Sequence, residues 1–251
     1  MFGLIKRAAT SRSALGVCMT AIMLALSIST AHAALTLSGT RLVFESSKRS
    51  ISLIVANPSK QIFAVQTWVN TAVDDATTAV PFMPSPPLFR LDPGKEQQVQ
   101  INGLPNDLPT DRESLFYFNV QEIPQASPDA GNVLNIALRT RIKLFYRPAE
   151  LKDNPMSRLK DLQWSIKRSG GKSQLEVHNP TPFHVTFIQM AIKGDDRRQV
   201  IENPQMVAPL SRQTYALTGP GPTPGQQVEF SAINDYGGYS TPLTLPIQMT
   251  P

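Results

Sequence analysis

The chain of 251 residues is poor in cysteine: it has one, Cys18. That residue lies in an opening segment organised like a secretory leader. Lys6, Arg7 and Arg12 come first, an apolar run from Ala14 to Ile28 follows, and Ala31-His32-Ala33 gives small residues at A-x-A spacing. Cleavage is therefore expected after Ala33, with the mature protein beginning at Ala34. The competing reading is an uncleaved membrane anchor, since the run is near the lower limit of about 17 residues for a span. The small-residue site favours cleavage. A lipid-anchored cysteine is disfavoured too, because Cys18 follows Val17 near the front of the apolar run instead of a small residue at its end. Without the leader the protein has no thiol, and so no disulfide, cysteine nucleophile or cysteine metal ligand. A secreted chain of this kind must be held together by its own apolar cores.

An excess of charge is also lacking. Removing the leader's three basic residues leaves 21 basic and 19 acidic, a net +2, too little to point to nucleic acid. Only two histidines remain, His178 and His184, on either side of Asn179 to Pro182. They could face each other across a hairpin, but a metal site needs at least a third ligand and no acidic residue is close in sequence, so both are expected at the surface. G-x-S-x-G, H-E-x-x-H and a phosphate loop are all absent. The glycine-rich stretch from Gly219 to Gly225 carries Pro220, Pro222 and Pro224, which lack the N–H groups a phosphate cradle uses. Asp74-Asp75, or Glu122 with Asp129, could in principle form a glycosidase pair, but such acids are expected to be solvated. No catalytic constellation is present, so the protein is expected not to be an enzyme and to use no cofactor, metal or small-molecule substrate.

Long helical stripes are missing as well. Prolines number 22, and no ten-residue helical pattern survives between them. What is present is short alternation between turn residues, the pattern of β-sandwiches. A first strand is expected over Thr36 to Phe44, and a second places Ile51, Leu53 and Val55 on one face before the turn Asn57-Pro58-Ser59-Lys60. Phe63, Val65, Thr67 and Val69 define a third, with Trp68 on its other face. Pro84-Ser85-Pro86-Pro87 cannot lie in a central strand and reads as an edge or crossing segment, with Ser85-Pro86 or Pro86-Pro87 a candidate cis bond. Leu91-Asp92-Pro93-Gly94 is a turn, followed by Val99 and Ile101. ESLFYFNVQEIP, Glu113 to Pro124, is another strand, dense in aromatics.

The longest alternation runs from Asn132 to Pro148, NVLNIALRTRIKLFYRP. Leu134, Ile136, Leu138, Ile142, Leu144 and Tyr146 share one parity, interrupted by Thr140; Asn135, Arg139, Arg141, Lys143 and Arg147 share the other. A period of two is a strand, unusually long against the common length of about five or six residues. Part of its apolar ridge is expected to extend beyond its own sheet. After Pro148 the pattern lapses through Leu151-Lys152-Asp153-Asn154-Pro155, a hinge between domains over 34–150 and 156–251. In the second domain Trp164 and Ile166, then Leu175 and Val177, flank Ser169-Gly170-Gly171-Lys172 as a hairpin. Phe183, Val185 and Phe187 predict the next strand; Tyr215 and Leu217, Val228 and Phe230, and Leu243 and Leu245 predict the rest.

Three blocks together resemble the periplasmic chaperones of the chaperone–usher pilus pathway: GTRLVF at Gly39 to Phe44; RESLFYFNVQEIP at Arg112 to Pro124 with IALRTRIKLFYRP at Ile136 to Pro148; and INDYGG at Ile233 to Gly238. Order and spacing match over essentially the whole mature chain; Gln121, where the family commonly has arginine, is a departure. The resemblance implies an all-β protein of two immunoglobulin-like β-sandwich domains at an angle around a cleft. It implies a periplasmic chaperone that lends a strand to pilus subunits, prevents their aggregation and delivers them to an outer-membrane usher. It also allows a self-capping homodimer of the free protein. The lent residues would be Leu134, Ile136 and Leu138. Arg41 and Lys143 would hold the subunit's terminal carboxylate, and Glu113, Arg147 and Asp235 would form a charged network between the domains. Lys143 has the opposite parity to the lent residues, so strand twist or a bulge is expected between them. The short connection from Gln125 to Gly131 and the missing cysteines resemble the short-loop branch of the family. The alternatives from other classes are a pilus subunit, against which stand the absent cysteine pair and donor segment, and a secreted hydrolase, for which no constellation exists.

Overall fold

A computed structural model describes residues 35–75, 77–124, 136–169, 172–194, 198–217 and 225–249. The leader and Leu134 lie outside the described residues.

Among the described residues nine strands build the first half: β1 (Thr36–Leu37), β2 (Arg41–Glu45), β3 (Ser50–Ala56), β4 (Phe63–Asn70), β5 (Phe82–Ser85), β6 (Leu88–Leu91), β7 (Glu96–Gly103), β8 (Ser114–Pro124) and β9 (Arg139–Arg147). They form a four-stranded sheet, β1-β3-β7-β5, and a five-stranded sheet, β2-β9-β8-β4-β6. Alternating inward residues meet between them: Leu53, Val55, Val99 and Ile101 from one sheet, Leu42, Phe44, Val65, Phe118, Ile142 and Leu144 from the other. This is a sandwich core closed by the pleat's period of two.

The single strand expected over Thr36 to Phe44 is two. β1 pairs antiparallel with β3, whereas β2 pairs parallel with β9 in the opposite sheet, and the chain crosses at Ser38–Thr40. The proline segment crosses similarly: β5 pairs with β7 and β6 with β4, and the Ser85–Pro86 peptide between them is cis.

The second half has its own core, centred on Trp164, Leu175, Val177, Met190, Val228 and Phe230. Its strands are β10 (Gln163–Ser169), β11 (Lys172–Asn179), β12 (Phe187–Lys193), β13 (Arg198–Val200), β14 (Ser211–Ala216), β15 (Gln227–Ala232) and β16 (Leu243–Met249). They hydrogen-bond in the order β13-β12-β15-β16-β10-β11-β14. β16 joins the two sides: Leu243 to Pro246 pair antiparallel with β15, and Ile247 to Met249 parallel with β10. The β10–β11 hairpin places Ser169 opposite Lys172, as the sequence indicates. The described architecture is all-β apart from one short helical segment.

That segment begins where the stretch Leu151 to Pro155, expected as a hinge, ends. Pro155–Asp161 is a 3-10 helix, with Pro155 at its start and the Asn154 side chain accepting from Met156 N–H; it buries Leu159 in the second core. At seven residues it is too short to show as a ten-residue helical pattern. The strand expected through Phe183 and Val185 begins only at Phe187. Asn179 and Thr181 side chains take up the local backbone groups, Thr181 N–H donating to Asn179 Oδ1 and Asn179 Nδ2 to the Phe183 carbonyl, and Val185 makes one isolated bridge with Val207.

Candidate functional site

The apolar row of the longest alternation is divided. Ile142 and Leu144 are 9% and 0% exposed within the first core, whereas Leu138 and Ile136 are 48% and 60% exposed beyond it. Among the described residues the regular strand begins at Arg139, and Asn132 to Asn135 lie outside them; ahead of it, Glu122 N–H donates to the Leu138 carbonyl at 2.9 Å. Pairing explains the split. β8 accompanies β9 from Arg139 to Tyr146, but on the other side β2 pairs only Lys143 to Arg147. Among the described residues, Arg139 to Ile142 have no strand on that side. An open edge therefore lies beside two uncovered aliphatic side chains.

The opposite parity of β9 carries a ladder of cations. Arg139 lies over the Trp68 ring with its guanidinium carbon 4.8 Å from the centroid, and pairs with Asp74; Arg141 lies 3.9 Å over Tyr117 and donates to the Thr71 carbonyl. Asp74 is exposed, as expected, and is the bidentate partner of Arg139. Glu122, by contrast, is not a solvated acid: it is buried and accepts from Leu35 N–H. Lys143 comes next. It is the register partner of Arg41 across the parallel β2–β9 pair, so two cations stand side by side. No bulge is needed to place Lys143, because β8–β9 pairing is regular from Arg139 to Tyr146. The cations and the apolar row simply occupy opposite faces of one strand.

Arg41 spans the two halves. Its Nη1 donates to the Ile233 carbonyl at 3.0 Å and its guanidinium lies over Phe145, while its buried Nε has no hydrogen-bond partner among the described residues. Neither Arg41 nor Lys143 forms an ion pair among the described residues. Burial and the neighbouring Arg41 charge push the Lys143 ammonium below its ordinary pKa. Burial lowers Arg41 as well, and the charges of Asp235 and Glu113 offset part of that. Two half-buried cations, one with an unused donor, form a site complementary to an anion.

Glu113, Arg147 and Asp235 come together at the junction. Arg147 Nε donates to Glu113 Oε1 at 2.8 Å, and its terminal nitrogens donate to both Asp235 oxygens at 2.7 and 2.9 Å. The Glu113 side chain is 2% exposed, the Asp235 side chain 33%. Burial opposes the Arg147 charge, and the two acids outweigh it, so the guanidinium is raised above its ordinary pKa.

Sequence reasoning missed His184, which is not a surface histidine. Its side chain is 5% exposed, its backbone N–H donates to Glu113 Oε2 at 2.8 Å, and Nδ1 lies 3.2 Å from the same oxygen. His178 is elsewhere, against Gln163. His184 alternates with inward Phe183 and Val185, so its outward parity signalled solvent; the first half covers that face instead. Among the described residues no cluster suited to a metal ion is found.

Two immunoglobulin-like sandwiches present an open strand edge beside uncovered aliphatic side chains and two cations that have no ion pair among the described residues, an arrangement suited to a protein that binds another chain. Comparison with known proteins agrees. Residues 34–152 match the family model "Pili and flagellar-assembly chaperone, PapD N-terminal domain", and 157–243 match "Pili assembly chaperone PapD, C-terminal domain". The chain belongs to the PapD-like family of pilus-assembly chaperones. It is 41% identical over 217 residues to Chaperone protein PapD of Escherichia coli, covering 84% of this chain and 86% of that one. It is 38% identical over 220 residues to Probable fimbrial chaperone YadV of Escherichia coli K12, covering 84% and 89%. The crystal structure of the YadV chaperone superposes with a TM-score of 0.73 at 36% identity, over 84% of this chain and 99% of that one. A Salmonella enterica SafA pilin in complex with the SafB chaperone is matched at TM-score 0.74 and 29% identity, over 87% and 98%.

Proposed function

We propose that the protein is a periplasmic chaperone that binds pilus subunits by donating Leu134, Ile136 and Leu138 to an incomplete sandwich, with Arg41 and Lys143 holding the subunit's terminal carboxylate. Strand addition to an exposed edge is a general mode of recognition, with chaperone–pilin complexes among its examples. The observation that carries the proposal is the open β9 edge: the side of Arg139 to Ile142 away from β8 is unpaired among the described residues, and it ends at the Arg41–Lys143 pair. A chain added there lies in the plane of the sheet, in line with β2. With its carboxylate at Lys143 and its preceding residues beside Ile142 to Ile136, it runs parallel to β9.

Being in that plane, the added chain presents side chains to both faces, so its end reaches the cations while its neighbours cover Leu138 and Ile136. Each fully buried aliphatic side chain contributes roughly 1.5–3 kcal/mol before ordering costs. The Glu113–Arg147–Asp235 network acts as a strut that sets how the domains meet, without touching the subunit. The role is non-enzymatic, and delivery passes to an outer-membrane usher. The seven-residue connection from Gln125 to Gly131 supports placement in the short-loop branch. A homodimer in which two copies cover each other's edges is the resting form this edge favours.

Expression beside the neighbouring secreted gene products tests the proposal. A small subunit should survive and co-purify one-to-one only when this chain is present. Polymerisation of the chain itself would instead identify a pilus subunit and overturn the reading.

A further inference from the structure

The turn Ile233 to Gly238 fastens the second half to the site, and its parts are used unequally. The Ile233 carbonyl accepts from Arg41, and Asp235 takes both terminal nitrogens of Arg147. Asn234 Oδ1 accepts the backbone N–H groups of Tyr236 and Gly238. Gly237, at φ +84°, lies so near Thr40 that a Cβ there would stand 2.4 Å from Oγ1. Tyr236 is the exception. It is 95% exposed, its ring packs on no other ring and its hydroxyl has no partner among the described residues. Tyr239, whose backbone bridges Ile233, is 67% exposed. A turn pinned at both flanks thus holds an aromatic ring out in water, the form in which interfaces present rigid anchors.

The place of this ring suggests its occupant. Three Cα–Cα steps separate Tyr236 from Ile233, which Arg41 contacts, so the two Cα atoms are at most about 11 Å apart. A chain end held by Arg41 and Lys143 therefore brings its last side chains within reach of the turn. Within the turn the N–H groups of Asn234, Tyr236, Gly237 and Gly238 are bonded to Gly238 or Asn234 oxygens, and the neighbouring guanidiniums of Arg41 and Arg147 lie over Phe145 and Phe183 instead of Tyr236. What Tyr236 offers is an uncovered π face, which attracts apolar and aromatic groups and repels anions.

We propose that Tyr236, flanked by Tyr239, is a second contact for the carboxy-terminal end of the bound subunit. Its ring packs on the side chain of one of the last residues and favours an aromatic or aliphatic group over an acidic one. The proposal rests on the carboxylate-anchor reading and adds side-chain selectivity to it.

Eight-residue synthetic peptides with valine at alternate positions and free carboxylates, ending in Phe, Ala or Asp, test the idea by titration against the mature protein. The Phe-ending peptide should bind about fivefold more tightly or better, on the scale of an aromatic contact. Tyr236→Ala should level the series while leaving the Ala-ending affinity in place. In Tyr236→Trp, the emission of the introduced indole should shift to shorter wavelength with the Phe-ending peptide. Equal affinities across the wild-type series, or an equal loss for all three in Tyr236→Ala, overturns the inference. An indole emission in Tyr236→Trp that shifts with protein concentration and not with peptide assigns the ring to a second copy and also overturns it. Amidating the peptides separates the two readings. Binding lost on amidation but indifferent to Tyr236 sinks the ring contact alone; a Tyr236-dependent preference that survives amidation supports the ring contact and removes the anchor.

Discussion

Arg41 and Lys143 are register partners across the parallel β2–β9 pair, and neither is ion-paired to a carboxylate among the described residues. Cations so placed are normally neutralised, and a subunit's terminal carboxylate would do so here. Arg41→Ala or Lys143→Ala should leave the protein folded and unable to protect a subunit. Losing one charge-assisted contact, about 1.5–3 kcal/mol, corresponds to roughly a 10- to 100-fold weaker complex. The yield of co-purified subunit measures this, and normal yield from both variants would remove the anchor.

The same pair carries a stability cost. Burial first, and then the Arg41 charge, depress the Lys143 pKa in the folded state. Below that depressed value lysine is protonated in both states and the folded protein bears the whole cost. The cost fades as pH rises toward the ordinary lysine value and is gone above it. Lys143→Met should therefore melt at a higher temperature than wild type at neutral pH, and the difference should shrink in alkali. Lys143 is half-buried and screened, so a rise of only ~2–4 °C is expected. A lower melting temperature for Lys143→Met at neutral pH would mean the site is not strained.

The apolar row should separate into two behaviours. Ile136→Asp and Leu138→Asp change exposed positions and should abolish subunit binding while leaving thermal unfolding nearly unchanged. Leu144→Ala removes a fully buried side chain and should cost about 2–5 kcal/mol, with binding lost only through unfolding. Circular dichroism melts beside co-purification distinguish them. If Ile136→Asp or Leu138→Asp unfolds the protein, those residues belong to its own core.

Much of this was legible in the sequence because β-structure writes its faces at a period of two. Leu53, Val55, Val99 and Ile101 were placed correctly by parity alone, and so was the outward face of Trp68. Parity does not say what lies opposite a face. His184 and Glu122 read as solvated, yet each is buried against a partner distant in sequence, Glu113 and Leu35, and exposed Asp74 has a distant partner in Arg139. Nor does parity reveal where a strand changes sheets, so the crossing at Ser38–Thr40 was hidden inside one alternating run. The meeting of Glu113, Arg147 and Asp235 came from family resemblance; their spacing, with up to 88 residues between partners, contains no local signal.

The junction network should fail unequally. Glu113 is buried and accepts from Arg147 and from the His184 backbone, so Glu113→Ala leaves Arg147 Nε and a buried N–H without their partner at once, while Asp235 keeps the terminal nitrogens. Breaking a buried pair from one side costs about 3–5 kcal/mol. Asp235 is a third exposed, so water can replace it in Asp235→Ala, and the loss should be nearer the roughly 1–3 kcal/mol typical of a hydrogen bond to charge. Because Arg147 is shared, each single variant leaves it one carboxylate and the double variant leaves none, so the double variant should be more destabilised than the sum of the two. Denaturant titration of the three variants measures this. A Glu113→Ala cost at or below that of Asp235→Ala would show that Glu113 contributes little to holding the halves together, and that the exposed arm of the network carries the junction instead.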